Sequence, residues 1–107
     1  MKLPKAARLL KRRQFEMIGR TNERRMGQRL MIERLSVPGS ETKLGVTVTK
    51  KYGKAHDRNR FKRCVREAFR KARPHLPQGL WINVRPRSKE ITVSSASFYD
   101  ELLLMLC

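Results

Sequence analysis

Asn59, Arg63, Arg66 and Arg70 recur at spacings of three and four residues, flanked by Lys62 and Arg73, with Lys50, Lys51 and Lys54 just upstream. Cations in such a row suit phosphate oxygens. Arginine's planar fork takes two oxygens at once and can also stack on a base. Between these positions, Phe61, Cys64, Val65, Ala68, Phe69 and Ala72 follow the i, i+3, i+4, i+7, i+8, i+11 pattern of a helix docked on a core. The spacing predicts a two-faced helix over 57–72, with Asp57 as N-cap and Pro74 and Pro77 past its end. A solvated face is the plain alternative. Solvated faces usually interleave opposite charges at i, i+4, whereas Arg63, Arg66 and Arg70 repel one another and Glu67 cannot neutralise them all. A self-repelling row is better explained by a polyanion that pairs with it. Lys50, Lys51 and Lys54 fall beside the helix N-terminus, whose free N–H groups favour phosphate, and Gly53 is expected to let the chain turn there. Protection of a sheet edge is the simpler use for Lys50 and Lys51.

Other chemistry finds little support. The nine acids are Glu16, Glu23, Glu33, Glu41, Asp57, Glu67, Glu90, Asp100 and Glu101, scattered along the chain, and Asp100–Glu101 reads as helix surface. His56 and His75 lack partners for acid–base work, and Cys64 belongs to the apolar stripe. No metal-ligand spacing and no glycine-rich phosphate loop occurs. No catalytic residue and no protein-bound metal or cofactor is therefore expected.

The whole chain carries the same bias. It has 107 residues, 26 basic against 9 acidic, a net charge of +17 and a pI near 11.3. Residues 1–35 carry a net +8 and residues 50–73 a net +9, while the rest balance. A surplus of this size favours a polyanionic partner, nucleic acid before membrane, since no long amphipathic or spanning helix is evident. The length suits one domain, 1–107, with residues 1–10 extended or flexible. Two cysteines offer no disulfide framework, and no apolar leader is present, so a cytoplasmic location is expected.

The elements that position the row follow from pattern. A short helix is expected over 11–18, with Phe15 and Ile18 on one side and Gly19 as its stop. A polar loop or short strand covers 20–28, and a strand 29–35. VPGS (37–40) is turn chemistry, and residues 43–51 alternate Leu44, Val46 and Val48 with Gly45, Thr47 and Thr49. Strand, VPGS, strand reads as an antiparallel hairpin. LWINVR (80–85) is a further strand, and a last helix over 93–105 buries Phe98, Leu102 and Leu106. The sum is a small α+β sandwich, one sheet covered on one face.

The run VTVTKKYGKAHDRNRFKRCVREAFR closely resembles the signature segment of the protein subunit of bacterial ribonuclease P. The match lies in Lys50, Lys51, Gly53, Ala55, Arg58, Asn59, Arg60, Lys62, Arg63, Arg66 and Phe69, and extends more weakly along most of the chain. The resemblance implies a mixed sheet with the basic helix in a left-handed crossover between parallel strands, where general topology rules give a right-handed one. It implies a protein cofactor that joins the ribonuclease P RNA one to one and binds the 5′ leader of precursor tRNA. The chemistry then belongs to the RNA and its Mg2+. By that likeness Lys50, Lys51, Arg58, Asn59, Arg60, Lys62, Arg63 and Arg66 contact the RNA, the charge pattern adds Lys54 and Arg70 to them, and Phe15 lines the leader cleft. A structural RNA-binding protein, such as a ribosomal protein, is the alternative; a major-groove DNA reader is less suited, having few side chains for base edges. Gly19 and Glu33 stand where aromatics are common in the family. Because stacking is worth ~1–3 kcal/mol per base, weaker leader contact than in a typical member is expected, measurable as a small gain in precursor affinity with leader length.

Overall fold

The computed structural model describes residues 3–21 and 23–107. In chain order the elements are α1 (Arg12–Arg20), β1 (Arg24–Met26), β2 (Leu30–Ser36), β3 (Lys43–Val46), α2 (Ala55–Ala72), β4 (Leu80–Pro86) and α3 (Ser95–Leu106). Short 3-10 turns occur at Lys5–Ala7, Lys50–Tyr52 and Arg73–His75.

One mixed sheet has the order β1-β2-β4-β3. β4 runs antiparallel to β2 and parallel to β3, so β3, α2 and β4 form a crossover between neighbouring parallel strands. The expected β2–β3 hairpin is therefore wrong. VPGS does turn, with Gly39 at φ 85°, but β4 inserts between the two strands. The insertion is secured at its start: Val37 N–H donates to Gly79 O (2.6 Å), Thr42 Oγ1 to Pro77 O (2.6 Å) and Trp81 Nε1 to Ser40 Oγ (2.8 Å). Gly79 has φ 69°, and a Cβ there would lie 2.7 Å from Val37 O, so this crossing needs glycine.

Leu44 and Gly45 are successive strand residues and face opposite sides of the sheet. On the Leu44 side, Leu30, Ile32, Ile82 and Val84 meet Phe61, Val65 and Phe69 of α2 and Phe98 and Leu102 of α3. Phe61 and Phe98 pack edge to face, centroids 5.4 Å apart. On the Gly45 side lies α1, so the sheet is covered on both faces, contrary to expectation. The Phe15 ring and Leu9 press on Gly45; a Cβ there would lie 2.7 Å from Phe15 Cζ and 2.9 Å from Leu9 Cδ1. Gly19 does not stop α1. It adopts no positive φ, the helix runs one residue further, and Thr21 closes it by donating N–H and Oγ1 to Ile18 O. A helical glycine weakens the helix by about 1 kcal/mol but ends it only by turning left-handed. Regular pairing of β3 ends at Val46, short of residue 51, since the chain leaves the edge for the lysine turn.

The amino-terminal segment is tied down from residue 3: Leu3, Ala7 and Leu9 are buried, and Leu9 N–H donates to Leu44 O at 2.9 Å. Residues 1 and 2 lie outside the described residues. Glu101, expected on the surface, is 6% exposed. Its Oε1 accepts the N–H groups of Arg29 (2.8 Å) and Leu30 (3.0 Å), and Arg29 Nη1 lies 3.5 Å from Oε2. This carboxylate caps the β1–β2 connection, where Gly27 makes room for it. The helical pattern marked its face but not the loop folded over it.

Truncating Phe61 to alanine should cost about 3–5 kcal/mol, and Glu101→Ala about 1–3 kcal/mol by stranding two N–H donors. Urea unfolding checks both; midpoints equal to the parent's would contradict the packing described.

Candidate nucleic-acid interface

α2 carries the row because its other side is locked down. Phe61, Val65, Ala68, Phe69 and Ala72 are buried to the last percent, and Cys64 packs half-buried beside them. Asn59, Arg60, Arg63 and Arg66 are exposed, and Lys62 and Arg70 half-exposed. The helix begins at Ala55, two residues before the expected cap. Lys54 is the N-cap residue and no side chain caps the turn, so Asp57 lies inside the first turn instead. The backbone at Lys54 is already extended (ψ 165°), which starts the helix there. Gly53 is also extended (φ 165°) and makes no left-handed turn; a Cβ there would approach Asp57 Oδ2 to 3.2 Å.

Lys50 and Lys51 stand exposed on the 3-10 turn ahead of α2, with Lys54 at the helix start. Tyr52, unremarked in the sequence, anchors that turn: its ring packs 5.6 Å from Phe61. Burial, and secondarily the charge of Asp57, push its hydroxyl pKa up, so the phenol stays protonated at neutral pH. An aromatic between two lysines and a glycine was the available sign. Arg58 turns back on this loop, donating from Nη1 to Gly53 O at 3.0 Å, and so braces the lysines. Arg70 lies apart at the other end, in a hollow with Leu3, Pro4, Thr42 and Arg73.

Acids leave the row alone. Glu67 pairs with Lys71 (3.8 Å), away from Arg63 and Arg66. Among the described residues, none of Lys50, Lys51, Lys54, Arg58, Arg60, Lys62, Arg63, Arg66 or Arg70 is paired with a carboxylate. Three further acids pair with other cations: Glu16 with Arg12, Glu23 with Arg34, Glu41 with Arg73. Among the described residues no three His, Cys, Asp or Glu side chains come together as a metal site, and no helix is long and apolar enough to cross a membrane.

The second candidate surface is the sheet face under α1. Register places Arg24, Glu33, Asn83 and Gly45 in one row across all four strands. Phe15, half-buried, sits over the Gly45 end; Gly19 is exposed with nothing within 4 Å of where a Cβ would be. Glu33 is 4% exposed. It accepts from Arg85 Nε (3.1 Å) and Asn83 Nδ2 (3.4 Å) at Oε1, and Arg24 Nε lies 3.5 Å from Oε2. Thr47 donates to Asn83 Oδ1 (3.0 Å), extending the network onto the β3 end. Sequence reasoning noted Glu33 only as a missing aromatic. The polar Asn83 in the middle of LWINVR was the signal that this face is not a dry core.

A family model described as Ribonuclease P matches residues 3–106. The ribonuclease P protein component of Chlamydia trachomatis serovar L2 is 50% identical over 86 residues, covering 79% of this chain and 71% of that protein. The ribonuclease P protein structure from Thermotoga maritima aligns with a TM-score of 0.79 at 30% identity, over 92% of this chain and 94% of that one. That from Staphylococcus aureus gives 0.77 at 27% identity, over 92% and 90%. With the match spanning nearly every residue, and the same α+β sandwich in both solved structures, the chain belongs to the ribonuclease P protein component family.

Proposed function

We propose that this protein is the basic cofactor of a ribonuclease P ribonucleoprotein, assisting endonucleolytic removal of 5′ leaders from precursor tRNA in the cytoplasm. One observation carries the reading: the exposed face of α2, with Asn59, Arg60, Arg63 and Arg66 held outward by a fully buried apolar stripe and none of these arginines paired with an acid among the described residues. That face, with Lys50, Lys51 and Lys54 ahead of it, is a rigid phosphate-binding strip that costs little to order on association. It docks one catalytic RNA. The cleft between α1 and the sheet, with Phe15 at one end, takes the unpaired leader. The dispersed carboxylates supply no protein nuclease centre, so the chemistry is assigned to the RNA and the Mg2+ it holds. The protein's part is to offset phosphate repulsion and position substrate.

Reconstitution tests this. At low magnesium, protein added to the ribonuclease P RNA is expected to raise precursor cleavage, while protein alone cleaves nothing. No enhancement sinks the cofactor reading, and would favour a structural RNA-binding role; cleavage by protein alone sinks the assignment of chemistry to RNA. Arg63→Ala and Arg66→Ala should each change folding stability by no more than about 0.5 kcal/mol. Each should make the salt slope of RNA affinity shallower by about one. Slopes equal to the parent's would mean that these side chains touch no phosphate.

A further inference from the structure

Glu33 raises a question that the leader-cleft reading leaves open. A site meant only to attract phosphate would do better without a carboxylate, yet one is buried between two arginines. Desolvating a carboxylate is tolerated when it is closely paired, and Glu33 is paired on both oxygens. Both guanidiniums are engaged through Nε, next to the aliphatic stem. Their terminal nitrogens have no partner among the described residues, and the side chains of Arg24 and Arg85 remain 59% and 39% exposed. Each is thus fixed along one edge while the rest reaches solvent. The adjoining row pairs Met26 with Met31 and Met31 with Arg85, and Met26 is 58% exposed. Flat cations beside polarizable thioethers form a surface suited to an aromatic ring.

We infer that Arg24 and Arg85, set in place by Glu33 and bordered by Met26 and Met31, form a stacking platform for unpaired leader bases. This rests on the leader-cleft reading above. Guanidinium groups stack on single-stranded RNA bases much as aromatic rings do, and the larger purine faces gain most. The cleft therefore keeps a base-binding surface where Gly19 and Glu33 remove two aromatics: in place of the weak leader contact that their loss alone predicts, the contact changes in kind and becomes more sensitive to salt. Glu33 acts as the positioning residue. It lowers the positive charge of the cleft and in exchange fixes where the cations stand.

The test uses the reconstituted holoenzyme and precursor tRNAs carrying one abasic nucleotide at each leader position in turn, which deletes a base and keeps its phosphate. With the parent protein, one or two positions should lose about 5- to 150-fold in affinity, the range of single-base stacking. Arg85→Lys keeps the charge but not the plane and should flatten that profile. Glu33→Gln removes a negative charge yet should also shrink it, whereas a purely electrostatic cleft would bind every precursor more tightly. Thermal melts establish that both variants fold, and Arg85→Lys decides the matter if Glu33→Gln does not. If precursor and leaderless tRNA bind the parent alike, the leader-cleft reading fails and takes this inference with it. A clear leader gain with a flat abasic profile, or one unchanged by Arg85→Lys, overturns the stacking platform alone.

Discussion

Burial of Phe61, Val65 and Phe69 against the sheet and α3 is the interaction on which the α2 surface rests. Like charges at i, i+4 destabilise a helix by about 0.2–0.5 kcal/mol per pair. Each fully buried large apolar side chain returns about 1.5–3 kcal/mol. Three such side chains, with Ala68 and Ala72 packed beneath them, outweigh the repulsion among Arg63, Arg66 and Arg70 several-fold. The row is thus held in one place before any partner arrives. The same Phe61 ring supports Tyr52 and, through it, the Lys50–Lys51 turn. A single apolar anchor therefore sets both parts of the basic strip.

α2 was legible because its signal is local: an apolar period over about three turns, with Pro74 just past the end, predicts the helix to Ala72, where the structure ends it. Sheet topology was not local. VPGS reads equally well whether β2 and β3 are neighbours or are separated by one strand, and the chain that separates them arrives some forty residues later. Its placement depends on Gly79, Thr42 and Trp81 meeting across the 37–42 loop. Asp57 failed as a cap for a related reason. Composition offered a good capping residue, but the backbone had already entered the helix at Ala55, set by where the lysine turn leaves β3.

Both buried carboxylates escaped a reading by pattern. Glu33 and Glu101 sit in sequences that suit an exposed strand edge and an exposed helix face, and only the assembled neighbours show otherwise. Glu101 joins α3 to the β1–β2 connection, and Glu33 joins three strands on the face that α1 covers. In a chain of +17, the scarce acids gain most where several cations converge, since each then offsets more than one repulsion. The free acids are left at the periphery, and none is spent on the α2 row.

This distribution gives folding and binding opposite responses to salt. Repulsion among the uncompensated cations of residues 1–35 and 50–73 opposes the compact state and is screened over a Debye length of about 10 Å at 0.1 M salt. Added salt thus relieves the free protein. The same salt weakens phosphate contacts by reducing the gain from counterion release. Bound RNA does for the fold what salt does, with more favourable geometry, because ligand that binds only the folded state stabilises it by mass action. The charge that burdens the isolated domain is then what couples its folding to the RNA, with the apolar anchor of α2 keeping the free protein folded until that RNA is met.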